Sequence, residues 1–173
     1  CLRVVDKMYT KGVSSVLDYS VEGKEEEAQF DAALNMTLKT IEFAREREAI
    51  PFAVFKPTGF GRLALYEKVG DKAHLTENEQ KEWNRVIERF DIACKTAFEK
   101  DVLLLIDAEE SWMQDAADAI VTDMMRKYNK QKAIVFNTLQ MYRWDRLDYL
   151  KNLHDQAKVE DFFIGMKLVR GAY

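Results

Sequence analysis

The run DVLLLID at residues 101–107 sets five apolar residues in a row between two aspartates. A strand with one wet face alternates apolar and polar side chains. An unbroken apolar run of strand length instead suits a strand covered on both faces, as in parallel sheets flanked by helices. The segments on either side fit that frame. GVSSVLDYS (12–20), PFAVFK (51–56), KAIVFN (132–137) and DFFIGMKLV (161–169) read as further strands. The second of them opens on a proline, which donates no ladder bond.

Helical patterns separate these runs. In KEEEAQFDAALNMTLKTIEFAREREA (24–49), Phe30, Leu34, Leu38 and Ile41 recur at the three-to-four spacing of one helix face. LTENEQKEWNRVIERFDIACKTAFEK (75–100) opens with Thr76 and Glu79 in capping-box spacing and lines up Trp83, Ile87, Phe90, Cys94 and Ala97. SWMQDAADAIVTDMMRKYN (111–129) places Trp112, Ala116, Ile120 and Met124 in register, and RWDRLDYLKNLHDQAK (143–158) is the last helix. Residues 57–75, with Pro57, Gly59, Gly61 and Gly70, are expected to form a long loop.

Five strands alternating with four helices imply right-handed crossovers and a parallel sheet. A closed eight-stranded barrel takes about 250 residues, so 173 residues supply about the first five βα units of a (β/α)₈ TIM-type barrel. An open doubly wound sheet of five strands is the other α/β solution. No linker or low-complexity segment interrupts the chain, which is read as a single domain over 1–173. It opens on Cys1 rather than Met and stops at GMKLVRGAY, so it is expected to be part of a longer protein.

Charge and cysteine content narrow the function. A net charge of -4 argues against a broad basic surface for nucleic acid. Cys1 and Cys94 make neither a disulfide framework nor a zinc spacing, and His74 and His154 lie too far apart in sequence to suggest a metal site. No stretch reaches the roughly 18 apolar residues of a membrane helix, and the start shows no signal-peptide pattern. KPTGFGR (56–62) lacks the third glycine and the immediate helix of a dinucleotide fingerprint, so it reads as a turn.

Polar side chains gather where the strands end. Asp18 and Glu22 follow the first, Lys56 ends the second, and Asp107 ends the third with Glu109 and Glu110 behind it. Asn137 ends the fourth, before Thr138 and Gln140, and the fifth carries Lys167, then Arg170 and Tyr173. Parallel α/β folds build their sites at these carboxyl ends. Each residue also has a structural reading: Asp18 as a turn former, Lys56 as a snorkelling surface cation, Asp107 as a helix cap. Lys167 is the most informative, because an unpaired ammonium in a buried strand is costly. By alternation it shares a face with Val169 and Gly171. Its partner is either a neighbouring carboxylate such as Asp107 or an electron-rich bound group.

Taken together, VLDYSVEG, FAVFKPTGFGR, LLLIDAEESW, VFNTLQMY and GMKLVRGAY resemble, in this order, the flavin-dependent proline dehydrogenases, most of all their single-function, mitochondrial-type branch. The resemblance implies a (β/α)₈ barrel holding FAD at the carboxyl ends of its strands. It also implies oxidation of L-proline to pyrroline-5-carboxylate, with hydride transfer to flavin N5 and electrons passed on to a quinone. Lys56 would face proline near its carboxylate. Asp107 would order the basic groups there, with Glu22 as an acidic partner. Asn137 would touch the flavin pyrimidine edge, Lys167 would lie by N5, Val169 would pack on the ring through its backbone, and Tyr173 would line the site. The family's three further strands and its carboxylate-clamping arginine pair are not in this sequence. They are expected on a separate chain or segment. The implied setting is the bacterial cytoplasm or the mitochondrial matrix, with peripheral membrane association. Two other readings stay open from the residues alone: a Schiff-base lyase or aldolase using Lys56 or Lys167, and a non-catalytic half-barrel that binds a partner through its sheet edge.

Overall fold

The computed structural model describes residues 2–18 and 25–171. Its elements run α1 (Leu2–Tyr9), α2 (Glu27–Arg45), β1 (Phe52–Phe55), a 3₁₀ turn (Pro57–Gly59), α3 (Leu63–Gly70), α4 (Glu77–Lys100), β2 (Leu103–Ile106), α5 (Gln114–Tyr128), β3 (Val135–Gln140), α6 (Arg146–Glu160) and β4 (Met166–Val169). The four strands lie in sequence order and are all parallel. Among the described residues, no helix is long and apolar enough to cross a membrane.

The sheet has two unlike faces. Ala53, Phe55, Leu104, Ile106 and Val135 are buried under the helices. There Phe55 stacks on Phe60 at 4.4 Å between ring centroids, and both meet Phe90 of α4 edge-on. Alternation sends Phe52, Val54, Leu103, Leu105, Phe136, Thr138, Lys167 and Val169 to the opposite, concave face. Phe52 and Phe136 meet there edge to face at 5.6 Å.

Several boundaries differ from the sequence reading. The strand expected at 12–20 contracts to a single parallel bridge between Leu17 and Ala53, and its last two residues lie outside the described residues. The strand expected at 132–137 begins three residues later. Asn129 is the cause: its Oδ1 accepts the N–H groups of Ile134 and Val135, and its Nδ2 donates to the carbonyls of Val135 and Phe163. This buried amide replaces ladder bonds at the start of the strand, so Lys132 and Ala133 belong to the turn. The fifth expected strand, 161–169, keeps only its last four residues, because Asp161 caps α6 in the left-handed conformation at φ 53°. Gly165 then lets the chain close on β3: a Cβ there would stand 2.5 Å from the Val135 carbonyl oxygen.

The expected loop at 57–75 holds α3, whose Leu65 and Tyr66 are fully buried. Eight residues are too few to show a helical period clearly. Tyr66 packs edge-on against Trp83 and donates its hydroxyl hydrogen to the Pro57 carbonyl at 2.8 Å. On α4 the Thr76–Glu79 capping box forms, and Val86 rather than Ile87 completes the buried stripe. Trp112 precedes α5 and is 52% exposed, so it is not part of that helix's core face. The N-terminal α1 carries no clear sequence signal and buries only Val5 among its residues.

Candidate active site

Strand register brings four side chains to one level of the concave face. Phe55 pairs with Ile106, and the Asp107 N–H donates to the Phe55 carbonyl at 3.0 Å, so Lys56 and Asp107 stand side by side. Leu105 pairs with Phe136, which puts Asp107 beside Thr138, and Thr138 pairs with Lys167. The row therefore reads Lys56, Asp107, Thr138, Lys167 across four adjacent strands. The Thr138 hydroxyl donates to the Ile106 carbonyl at 2.8 Å, and the Lys167 ammonium reaches across β3 to the Asp107 carboxylate.

That ion pair answers the burial problem of Lys167 with a neighbouring carboxylate. The pair is only part-buried: the Lys167 side chain is 33% exposed and that of Asp107 22%. Asp107 thus stands between two lysines in the row. Val169 lies one turn of the pleat further along, beside Gln140. Among the described residues β4 pairs on one side only, with β3. Glu22 and Tyr173 lie outside the described residues.

Asn137 is placed differently from the sequence expectation. It sits on the helix-facing side of β3 and is 1% exposed. Its amide donates to Asp118 of α5 at 2.8 Å and to the Tyr149 hydroxyl of α6 at 3.3 Å. The cause is register: Thr138 pairs with Lys167 and faces the row, so alternation turns Asn137 away. Asp118 also accepts from Gln114 at 2.8 Å and Arg146 at 2.6 Å. Burial pushes the Asp118 carboxyl up, and the Gln114, Asn137 and Arg146 donors pull the other way. Burial and the charge of Asp118 push the Tyr149 hydroxyl up to about 12, well clear of neutral pH.

Gln140 is an amide that the concave side offers; the sequence reading counts it among the polar residues gathered after the fourth strand and gives it no role. Its Nε2 donates to the Glu109 carbonyl at 2.7 Å, and Arg143 donates to its Oε1 at 3.3 Å. Glu109 in turn accepts from the Thr58 N–H at 2.8 Å and the Thr58 hydroxyl at 2.7 Å. The loops after β1, β2 and β3 are therefore tied together just beyond the row. The visible signal for Gln140 was parity alone: it lies three residues after Asn137, on the opposite face.

The profile of the proline dehydrogenase family matches residues 1–173. CarD, a carbapenem antibiotics biosynthesis protein of Pectobacterium carotovorum subsp. carotovorum, is 38% identical over 162 residues, covering 94% of this chain and 43% of that protein. The mitochondrial proline dehydrogenase 1 of Drosophila melanogaster is 41% identical over 101 residues, or 58% of this chain and 15% of that protein. The chain thus spans less than half the length of these relatives. Among solved structures, proline utilization A (PutA) from Bdellovibrio bacteriovorus, inactivated by N-propargylglycine, superposes with a TM-score of 0.79 at 16% identity, over 99% of this chain and 19% of that one. At that identity the likeness speaks for the fold, and the parallel arc of strands is part of a TIM-type α/β barrel. With a profile match along its whole length and these relatives, the chain belongs to the proline dehydrogenase family.

Proposed function

We propose that this chain forms part of the active site of a flavoenzyme that oxidises L-proline to pyrroline-5-carboxylate and passes the electrons to a quinone, as the first step of proline catabolism. The observation that carries the reading is the row Lys56, Asp107, Thr138, Lys167 at the carboxyl ends of adjacent parallel strands, in a chain of this family. Such ends are where parallel barrels build their sites.

The donor set fits FAD. A part-exposed cation on an open, mostly apolar concave face suits an electron-rich ring lying against β4. Lys167 and Val169 are the residues that would hold it, and the pyrimidine-edge contact expected of Asn137 passes to Gln140, the amide on that side. FAD bound there would supply a hydride acceptor for the ring carbon beside the proline nitrogen. Lys167 places positive charge where electron density accumulates, already oriented by Asp107, so little reorganisation is needed. Lys56 faces the substrate carboxylate from the other side of Asp107. Asp107 keeps the two ammonium groups apart and directed. Glu22 and Tyr173 keep their expected roles, as acidic partner and site wall. Residues 1–173 act as one part of the barrel, with the remaining carboxylate clamp supplied by the rest of the protein. The relatives named as mitochondrial support a mitochondrial matrix setting, with the bacterial cytoplasm as the alternative given the match to a bacterial protein.

A second reading draws on the match to CarD: the same ring oxidation serving carbapenem biosynthesis instead of catabolism. The test of the leading reading is optical. The purified full-length protein should show flavin absorbance bands that bleach when L-proline is added without oxygen. Lys167→Met should slow that bleaching by about a hundredfold, the usual scale for losing one preorganised electrostatic contact. Flavin bands that L-proline leaves untouched would overturn the reading. Borohydride-trapped adducts on Lys56 or Lys167 would favour Schiff-base chemistry instead.

A further inference from the structure

Thr58 and Glu109 each lie two residues beyond a member of the row, Lys56 and Asp107 respectively, and they are bonded to each other. Lys56 is the residue that enters the Pro57–Gly59 turn, with extended backbone at φ -104° and ψ 138°. Its carbonyl accepts from the Gly59 N–H at 2.9 Å. The first turn of a 3₁₀ segment leaves N–H groups without partners inside the turn. Pro57 has none to offer, so Thr58 carries the first. The Glu109 carboxylate takes that N–H and the Thr58 hydroxyl together, one on each oxygen. The backbone of Glu109 is itself held on two sides: its N–H donates to Gln114 Oε1 at 3.3 Å, and its carbonyl accepts from Gln140. Gln114 is fully buried and anchored on Asp118. An unbroken set of contacts therefore runs from the buried α5 carboxylate, through Glu109, to the turn that aims Lys56.

We propose that Glu109 is a positioning residue for Lys56: it clamps the turn after β1 to the β2 and β3 loops and thereby fixes the direction in which the lysine projects into the mouth. Where the Lys56 backbone is held sets the point from which its flexible four-carbon stem projects. A displacement of about 1 Å at a substrate-binding group can cost as much as a hundredfold. The inference rests on the reading that Lys56 faces the substrate carboxylate.

The experiment uses the full-length, FAD-loaded protein and two readouts. The first is steady-state oxidation of L-proline. Glu109→Ala should raise KM about tenfold while kcat changes less than about threefold, because binding common to ground and transition states is what a misdirected Lys56 removes. In a Lys56→Ala background the same change should raise KM no further. Glu109→Gln, which keeps an acceptor for the Thr58 N–H and a donor for its hydroxyl, should recover most of the loss. The second readout is acylation of Lys56 by a water-soluble active ester, followed by peptide mass spectrometry. Its rate should change at least about threefold in Glu109→Ala and return in Glu109→Gln, as expected for a side chain moved to a new environment. A KM rise that adds to that of Lys56→Ala, or an unchanged KM or Lys56 labelling rate in a folded Glu109→Ala, would overturn the proposal. A wild-type protein that leaves L-proline unoxidised, with labelling that follows the expected pattern, would sink the functional reading and leave the positioning role standing.

Discussion

Truncating Asp118 to alanine strikes the cluster behind the site where it is least able to adapt. Asp118 is 4% exposed and accepts three hydrogen bonds, from Gln114, Asn137 and Arg146. Arg146 is equally buried. Removing one partner of a buried ion pair costs about 3–5 kcal/mol, because the other charge stays desolvated. Arg146 keeps Asp145 as a second carboxylate, which places the expected loss near the lower end, about 3 kcal/mol. Asp115 stands 3.7 Å from the same guanidinium as a more distant third carboxylate, while the Arg146 Nε is buried without a hydrogen-bond partner among the described residues. Urea unfolding followed by far-UV dichroism measures the loss. With a slope of about 2 kcal/mol per molar, the midpoint should fall by about 1.5 M. The paired variant Asp118→Leu with Arg146→Met removes both charges and fills their volume, but it takes an acceptor from the buried Gln114 and Asn137 amides, so it should recover only part of the loss and be more stable than the sum of its parts. A midpoint shift below about 0.5 M for Asp118→Ala, worth about 1 kcal/mol, would refute the reasoning. So would a paired variant as unstable as the sum of its parts.

Two further outcomes follow from single positions. Gly165→Ala would set a Cβ 2.5 Å from the Val135 carbonyl oxygen and 2.8 Å from the Phe136 ring. Backbone cannot give way cheaply, so β3 and β4 must part. The expected cost is about 1–3 kcal/mol, with faster hydrogen exchange at the Asn137 amide that now donates to the Gly165 carbonyl; unchanged exchange there would count against it. Glu27 pairs with Arg85 and Arg89 of α4, and the Arg85 hydrogen bond above all holds its carboxyl at about 2 against an ordinary 4.5. A depressed carboxylate contributes stability that is present above its unfolded value and lost as pH falls through its folded one. Thermal stability should therefore drop between about pH 4.5 and pH 2 more steeply in the wild type than in Glu27→Gln, and parallel curves would dismiss the contribution.

The layered order of the chain was legible because long-period signals survive averaging. The 24-residue α4 announces itself by its capping box and a stripe from Trp83 to Ala97, and DVLLLID by its unbroken apolar run. What failed was local. α3 has only eight residues, and its burial comes from tertiary contacts of Tyr66 with Trp83 and Pro57, which no short window reveals. The start of β3 was misread because Ala133 and Ile134 look like strand residues, yet Asn129 supplies hydrogen bonds that a ladder would otherwise make.

Register, more than strand boundaries, governs how much of the site could be read. Lys56, Asp107 and Lys167 were legible one by one, as charges at the ends of apolar runs, and the register sets them in one row. The same rule points to Asn137, the polar residue ending an apolar run, and it misleads because Asn137 has the opposite parity to Thr138, which pairs with Lys167. On a strand the side-chain period is two, so where the strand ends has no bearing on which face a residue takes; only register against a neighbour does. Thr138 pairs with Lys167, and that single pairing assigns Thr138 and Gln140 to the concave face and Asn137 to Asp118 behind it. A polar residue at a strand end is thus weak guidance to a site until its register is known. The Lys167–Asp107 contact carries more weight, because two residues sixty positions apart meet across an intervening strand only if both face the same way.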